Sequence, residues 1–569
     1  MKILLIQPPI RDFYRTSIRT QPIGLAYLAA SLRAHGYGVE ILDCQSGSPK
    51  SIPVPPELFY LRDLYPFSDR SPFKLYDGFY HFGMGWDEIR QRIEGSKADV
   101  FGISSSFTCY HGAALEMARI LKESDRTRTV VMGGSHVSSD PEGVLGSPHV
   151  DYIVLGEGEI RFPLLLERIR KSGAEGLEEI DGIGYRKNGG VRINPLERFI
   201  EDLDRLPPPA RDLLFPDRYR IRKKRSTLLI TSRGCPHRCV YCSAHLAMGN
   251  RFRTRSPDAI VNEMKECWDQ HGIRIFDIED DNFTYDRQRA KRLMKRIIET
   301  FGEGALELSA MNGVSFASLD GELLGLMKRA GFRTVNLSLV STDLLTRERM
   351  RRPRGMMEFD SVLTETERIG LDVIAYGIFG MPGQTIEEMI DTLIYLMSRR
   401  VLIGPSIYYP VPGTSLFERC KKEGSLPSHP SQFRSSAFPI ETKQFCRLDL
   451  ATLFRLARVL NFVKGKIDTN EIEEGITWGT LCRIMNVKAE ARVGDDSSDG
   501  AEPPAPGEAT WKDLLLMLVE EKSFFSLRKG SDRKVRMVRE ETSKRVLDCF
   551  LEKGSNAPIL RSRSSRKIQ

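Results

Sequence analysis

In the stretch Arg233-Gly234-Cys235-Pro236-His237-Arg238-Cys239-Val240-Tyr241-Cys242, the cysteines are spaced C-x3-C-x2-C. Thiolates are soft ligands that suit iron–sulfur clusters or zinc, so three of them on one short loop can hold an inorganic centre and leave one coordination position open. An open position is where chemistry can occur. Two plainer readings compete: a disulfide, or a closed zinc knuckle with His237 or His245 as the fourth ligand.

A loop takes its shape from the elements on either side of it, and here they belong to a large chain. At 569 residues the sequence is too long for one core, so two or three domains are expected. Hydrophobic residues at 41% and charged residues at 28% are ordinary for a soluble globular protein. No signal peptide or membrane span is expected. The apolar start Met1 to Ile6 is cut short by Gln7-Pro8-Pro9, and Leu514 to Val519 falls far below the ~20 residues a bilayer requires. A cytoplasmic location follows, and in that reducing compartment the ten cysteines read as metal ligands and buried small side chains. Much of the surplus behind the net charge of +8 lies in Arg528 to Arg539 and the tail Arg561 to Lys567, where a solvated terminus accounts for it; nucleic acid is not an expected partner.

The amino-terminal half alternates strands and helices. Strands are expected at Lys2 to Gln7, Val39 to Asp43, Val100 to Ser104, Thr129 to Met132 and Tyr152 to Leu155, with helices at Pro22 to Leu32, Trp86 to Ile93, Tyr110 to Lys122 and Glu159 to Lys171. That pattern means a doubly wound parallel sheet, whose ligands bind at the carboxyl ends of its strands. The loops there are Gln7-Pro8-Pro9, Ser104-Ser105-Ser106-Phe107, Gly133-Gly134-Ser135-His136 and Gly156-Glu157-Gly158-Glu159, and their small residues let a backbone approach a large ligand. The long connection Ser51 to Gly85, rich in Pro, Tyr and Phe, reads as a lid or a packed surface loop. A hairpin turning at Asn188-Gly189-Gly190 and the break at Leu206-Pro207-Pro208-Pro209 close this half.

Strand and helix recur after the cysteine loop. Leu228 to Thr231, Arg274 to Glu279, Leu306 to Ala310, Thr334 to Val340, Asp372 to Phe379 and Ser406 to Tyr409 give a six-strand series, an open (β/α)6 barrel with its reactive end at the strands' carboxyl ends. The cysteine loop follows the first strand directly, Asp280-Asp281-Asn282-Phe283 ends the second and Gly380-Met381-Pro382-Gly383-Gln384 the fifth. The expected division is α/β throughout: a doubly wound domain over 1–200, a linker over 201–222, the partial barrel over 223–420, a helical cap over 421–490, a flexible linker over 491–509, and a basic helical appendage with a disordered tail over 510–569. Within the last segment Thr510 and Asp513 predict a capped helix, and a basic helix is expected from Arg533 to Lys553.

With the pattern C-x3-C-x-aromatic-C, preceded by Arg-Gly and following Leu228-Leu229-Ile230-Thr231, the barrel half resembles the radical S-adenosylmethionine (SAM) superfamily. The resemblance implies that Cys235, Cys239 and Cys242 hold a [4Fe-4S] cluster, that SAM chelates the fourth iron, and that one electron splits its sulfonium to give a 5′-deoxyadenosyl radical. It places Tyr241 near the adenine and makes Gly380 and Pro382 SAM contacts. One departure stands out: many relatives carry G-[IV]-E-S after the fourth strand, whereas Ser338-Leu339-Val340-Ser341 lacks the glutamate that helps hold SAM, leaving Ser341 or Asp343 to compensate.

The amino-terminal half resembles the flavodoxin-like cobalamin (vitamin B12) binding domain that precedes the radical domain in one large subgroup of that superfamily. The carriers are Pro22-x-Gly24-Leu25-x-x-Leu28-Ala29-Ala30, Gly133-Gly134-Ser135-His136 before Pro141-Glu142, and Val150 to Glu159. The resemblance implies cobalamin contacts at Ser104, Ser105, Gly133, Gly134, His136, Gly156 and Glu157. Of the nine histidines only His271 follows an aspartate by two residues, Asp269, and Arg274 stands where that pattern needs glycine, so the D-x-H-x-x-G cobalt-ligating motif is absent and His136 is expected beside the corrin rather than on its metal. The expected function is therefore a cobalamin-dependent radical SAM enzyme that methylates an unactivated carbon or phosphorus of a small molecule. Its electrons would come from a low-potential donor such as flavodoxin or ferredoxin. Ring closure or rearrangement without methyl transfer, or a non-catalytic corrinoid sensor, are the alternatives. A transfer-RNA methylthiotransferase needs three further amino-terminal cluster cysteines, where only Cys44 and Cys109 stand. No residue is singled out as a general base.

Overall fold

The computed structural model describes residues 1–14, 21–173, 175–352, 355–484, 510–531 and 534–562. They fall into two compact units, the first built from 1–53, 79–333 and 410–433, the second from 54–78, 334–409 and 434 onward. The expected linker 491–509 and the tail from 563 lie outside the described residues.

In the first unit, β1 (Lys2–Gln7), β2 (Gly38–Asp43), β3 (Val100–Ser104), β4 (Thr129–Gly133) and β5 (Tyr152–Val154) pair in parallel, in the order β2-β1-β3-β4-β5. This is the flavodoxin-like order, with its switch point between β1 and β3. The hairpin β6 (Ile183–Lys187) and β7 (Gly190–Ile193) extends the sheet antiparallel beyond β5, turning through Asn188 and Gly189 at φ 52° and 75°. Alternation fixes the two faces: Leu4, Ile6, Phe101 and Ile103 belong to one core, Ile3, Leu5, Val100 and Val131 to the other. Beside the main sheet, Ile10–Asp12, Phe79–Phe82 and Lys50–Ile52 form a small antiparallel sheet that the sequence pattern did not predict.

Helix α1 (Ile23–Ala34) carries the sheet domain onto the barrel's first strand, β8 (Lys224–Leu229): Ile23, Ala26 and Tyr27 pack with Leu214 and Tyr219, with Leu228 and Ile230 against them. The Gln21 Oε1 accepts from the Thr227 hydroxyl and the Leu228 N–H, each at 2.8 Å. Strand β9 (Ile275–Ile278) and strand β10 (Glu307–Ser309) continue in parallel from β8. After β4 the chain enters the short helix α2 (Ser135–Ser139), and after the cysteine loop it enters α3 (Ala244–Met248).

The second unit holds the last three strands of the series, β11 (Thr334–Val340), β12 (Asp372–Phe379) and β13 (Leu402–Ile407), again parallel. The expected Ser406 to Tyr409 strand starts earlier than predicted, because Gly404-Pro405 reads as a breaker but is tolerated on the outer strand of this triplet. The expected helical region 421–490 is carried mainly by α4 (Arg447–Asp468), with irregular chain before it. The capped helix is present at Trp511–Glu520, with Thr510 and Asp513 forming the capping box. The expected basic helix from Arg533 is a correction: Phe525–Lys529 and Val535–Arg539 pair as an antiparallel hairpin, and only α5 (Lys544–Gly554) is helical. Val535 and Val538 are β-branched residues that favour a strand, a local preference the basic composition obscured. Nor is this segment a loose ornament, since Ser543 donates to Asp449 at 2.6 Å and Val546, Leu547 and Phe550 are buried.

Residues 54–78 are likewise neither lid nor surface loop. Leu58, Leu61 and Tyr65 are fully buried; the Tyr60 hydroxyl donates to the Ala437 carbonyl at 2.7 Å and Arg458 to the Lys74 carbonyl at 2.6 Å. Phe73 meets Phe462 edge-on at 5.3 Å. Among the described residues no helix is long and apolar enough to cross a membrane.

Lys464 on α4 is fully buried, and its ammonium donates to the carbonyls of Arg399 at 2.6 Å and Leu560 at 2.8 Å. Burial pushes its pKa down to about 7, against the pull of Asp468 and Glu474. The unfolded chain then binds the extra proton between about pH 7 and the free-lysine value near 10.4, so this residue makes stability rise with pH across that window. Urea unfolding should show the rise shallower in Lys464→Met than in wild type, by up to ~1.4 kcal/mol per pH unit.

Candidate functional site

The cysteine loop leaves β8 at Thr231, and the acidic turn after β9 holds it residue by residue. Asp280 accepts from the Thr231 N–H and the Ser232 hydroxyl, both at 2.6 Å, and from the Thr231 hydroxyl. Arg289 donates to the Thr231 hydroxyl at 3.0 Å and to its carbonyl at 2.5 Å. Asp281 accepts from the Gly234 N–H at 3.1 Å, and the Asn282 amide lies 3.8 Å from the Cys235 Sγ. Gly234 has φ +80°, and a Cβ there would land on the carbonyl of Arg251 and within 2.9 Å of that of Met248, so only glycine admits the chain here.

Burial raises the Cys235 thiol above its ordinary value and the Cys242 thiol to about 11, with the neighbouring cysteines and Asp281 adding to both. The same burial lifts the Asp281 carboxyl to about 6. Mutual influence places the three sulfurs in one neighbourhood. Among the described residues no three His, Cys, Asp or Glu side chains converge as a single ion would need. A cluster asks something different, because each thiolate then binds its own iron. Soft donors on a loop of fixed course, with an amide aimed at one sulfur, fit such a group.

Between Cys242 and the next strand, the loop returns to its own start. Arg233 pairs with Arg253 across a two-residue antiparallel ribbon, Ser232–Arg233 against Arg253–Thr254. Both guanidiniums are buried, and both reach Glu157: Arg233 at 2.9 Å, Arg253 at 2.9 and 2.8 Å on its two oxygens. Glu157 also accepts from the Ile200 N–H at 2.8 Å, while Glu159 takes the second arm of Arg233 at 2.6 Å. Glu157, expected as a cobalamin contact, has its side chain 1% exposed against the base of the cysteine loop, where both buried guanidiniums hold its carboxylate.

The other residues expected at the sheet's ligand edge do gather there. Ser104 ends β3, and the buried Ser105 donates its N–H to the Gly133 carbonyl at 2.7 Å and accepts at its own carbonyl from His136 at 3.1 Å. Gly134 has φ +118°, and a Cβ there would lie 2.6 Å from the Ser105 carbonyl, so backbone meets backbone. Gly156 donates its N–H to the Ser138 hydroxyl at 2.8 Å. His136 is buried in α2 with its ring 4.3 Å from that of His111; Thr108 lies 3.1 Å from the Nδ1 of His136, and Ser105 2.9 Å from that of His111. Small residues and uncharged rings at this edge fit a large, flat, mainly apolar ligand. Nothing in the sequence flagged His111, since no spacing links it to His136.

Helix α3, directly after the cysteines, meets α2. The Pro410-to-Thr414 turn closes on both: a Cβ at Gly413 would meet Leu246 at 2.7 Å and the Ser139 carbonyl at 3.1 Å. Tyr241 is half-buried beside this junction, and the Leu416 N–H donates to the Val240 carbonyl at 3.0 Å.

Gly380 and Pro382 lie in the second unit, on the turn after β12. Gly380 has φ +82°, and Gln384 braces the turn by accepting from the Met381 N–H at 2.8 Å. A Thr385–Glu388 capping box follows and opens the next helix. Val340, at the end of β11, is fully buried at φ 73°, a costly conformation for a β-branched residue, where the register against β12 slips. Ser341 and Asp343 are already engaged: the Ser341 hydroxyl accepts from the Asp343 N–H at 3.1 Å, and Asp343 caps the following turn by accepting from Thr346 at 2.6 Å.

Comparison with known proteins agrees with this geometry. Residues 229–396 match the protein-family model of the radical SAM superfamily and residues 75–166 that of the B12 binding domain. The chain is 28% identical over 479 residues to an uncharacterized methyltransferase of Pyrococcus horikoshii, covering 83% of this chain and 95% of that one. It is also 28% identical to cytidylyl-2-hydroxyethylphosphonate methyltransferase of Streptomyces wedmorensis, over 76% of this chain and 84% of the other. Among solved structures, the radical S-adenosylmethionine methyltransferase TsrM of Kitasatospora setae, with cobalamin and a [4Fe-4S] cluster bound, superposes with a TM-score of 0.56 at 18% identity, covering 76% of this chain and 81% of that one. At that identity the likeness speaks for the fold.

The His111–His136 pair yields a pH signature. Burial lowers His111 to about 3, helped by His136, and lowers His136 to about 4. Unfolded histidines take up protons near pH 6.5, so the stability these neutral rings permit is intact above that value and drains away as pH falls toward 4 and 3. In His111→Phe the acid branch of a stability–pH profile, followed by thermal unfolding, should be shallower by up to ~1.4 kcal/mol per pH unit.

Proposed function

We propose that this chain, a radical SAM superfamily protein with a B12 binding domain ahead of its barrel, is a cobalamin-dependent radical SAM enzyme that methylates an unactivated carbon or phosphorus of a small molecule. The observation that carries the reading is the open three-thiol loop after β8, built in the same unit as the small-residue edge of the flavodoxin-like sheet. Methyltransferase relatives that match over most of both chains support the transfer chemistry.

Cys235, Cys239 and Cys242 would hold the [4Fe-4S] cluster. Ser104, Ser105, Gly133, Gly134 and the backbone at Gly156 would receive the corrinoid, with His136 beside it. Tyr241, Gly380 and Pro382 keep their assignment as SAM contacts. When bound, the cluster supplies single-electron chemistry to a sulfonium compound and the corrinoid supplies methyl transfer.

The chain's own residues set the conditions for that chemistry. Asp280 and Arg289 fix where the loop leaves the strand, and Gly234 lets it pass beneath the Arg251 carbonyl. Asn282 aims an amide at the Cys235 sulfur, which stabilises the thiolate over the thiol. His111 and His136 stay uncharged at neutral pH and keep the sheet edge free of a competing cation. A reducing compartment would keep these thiols free of disulfides, and a flavodoxin or ferredoxin type of donor suits the electron demand.

The test is anaerobic reconstitution with iron, sulfide and hydroxocobalamin, followed by addition of SAM and a reductant. The expected outcome is four irons and one cobalt per chain, release of 5′-deoxyadenosine, and a product heavier than substrate by one methyl group. Each of Cys235→Ala, Cys239→Ala and Cys242→Ala should lose the iron signal and cut turnover at least a hundredfold while cobalt content holds. Zinc in place of iron, or full turnover in any of the three variants, would overturn the reading.

A further inference from the structure

The base of the cysteine loop brings like charges together. Arg233 and Arg253 are cross-strand neighbours in the ribbon that closes the loop, and both are buried. Directly opposed like charges force a two-stranded ribbon apart, the more so without water to screen them. The ribbon stands because one carboxylate, that of Glu157, touches both guanidiniums. That carboxylate comes from the loop after β5, at the ligand edge of the sheet.

The same loop is fastened on its other side. The Gly156 N–H donates to the Ser138 hydroxyl at 2.8 Å, on α2. A Cβ on Gly156 would sit 3.2 Å from the Ala247 carbonyl of α3, the helix that leaves the cysteines. Arg253 itself goes on to the Ile200 carbonyl at 2.7 Å and the Met248 carbonyl at 2.5 Å, the last residue of α3. Both ends of the cysteine segment therefore answer to one residue of the neighbouring domain. The Glu159 carboxylate, by contrast, meets Arg233 and not Arg253 among the described contacts.

We infer that Glu157 is a positioning residue for the cluster: its carboxylate bridges Arg233 and Arg253, with Glu159 balancing the second charge, clamps the base of the cysteine loop shut, and ties the thiols to the loop that lines the corrinoid edge of the sheet. The inference rests on the reading above for what the thiols and the sheet edge hold. The clamp itself is a property of the protein without them, and can be read separately.

The test compares wild type, Glu157→Gln and the double variant Glu157→Gln/Arg253→Gln, all as full chains. Glu157→Gln keeps the shape and removes the charge, leaving two guanidiniums opposed; the double variant removes one of them and restores the balance. In protein carrying no metal, hydrogen exchange at the amides of 232–254 should speed up at least tenfold in the single variant and return to within about threefold of wild type in the double. After reconstitution, iron retained through gel filtration should fall at least threefold in the single variant and recover in the double. Adding hydroxocobalamin should slow exchange at 232–254 in wild type at least twofold and leave the single variant unchanged.

Exchange and iron retention in Glu157→Gln equal to wild type would overturn the clamp, as would a double variant no better than the single. Should the single variant be insoluble, a soluble double variant supports the charge argument and an insoluble one defeats it. If wild type takes up neither iron nor cobalt, the functional reading fails, while the metal-free exchange still decides the clamp.

Discussion

Two guanidiniums held side by side in a dry interior are stable only while a carboxylate lies against both, and the first unit is arranged around that condition. Removing one partner from a buried ionic set leaves an uncompensated charge, which costs about 3–5 kcal/mol, far more than any exposed ion pair is worth. Glu157 meets the condition from one side and the ribbon of Arg233 and Arg253 from the other. The other supports act closer to the strand or on single atoms: Asp280 and Arg289 hold Thr231 and Ser232, Asp281 the Gly234 amide, Asn282 the Cys235 sulfur. A sheet domain and the cysteine loop thus share a single polar knot rather than an apolar contact that could slide.

What could be read from residue order follows from this. The strand-then-loop course around Cys235, Cys239 and Cys242 was legible because ligand spacing and the preceding apolar run are both local signals. The strands were legible through period and turn residues, and Thr334–Val340 and Asp372–Phe379 match residue for residue. Glu157 was legible as a loop residue but not in its use, since its partners lie 76 and 96 positions away and no periodicity connects them. The same holds for His111, which gains meaning only when two loop ends meet. Composition misled at Val535–Arg539, where basic residues hid a strand, and at 54–78, where aromatic residues suggested a surface loop.

Val340 shows a different limit. That the usual glutamate is missing can be seen in the sequence, whereas its backbone at φ 73° and the register slip against β12 cannot. Left-handed backbone at a buried, β-branched residue persists only where surrounding structure over-determines it. The departure from the family pattern is therefore a rebuilt strand end, with Ser341 and Asp343 spent on holding it, rather than a simple swap of one side chain.

The route of the chain through residues 54–78 bears on how the molecule is made. This segment emerges from the ribosome early, yet the groups that receive it, the carbonyls of Ala437 and Leu527 and the ring of Phe462, are encoded hundreds of codons later. At roughly 5–20 residues per second, Leu58, Leu61 and Tyr65 stay bare on the nascent polypeptide for on the order of tens of seconds. Early biogenesis therefore leaves an apolar segment without its docking surface until the carboxyl-terminal region has been synthesised.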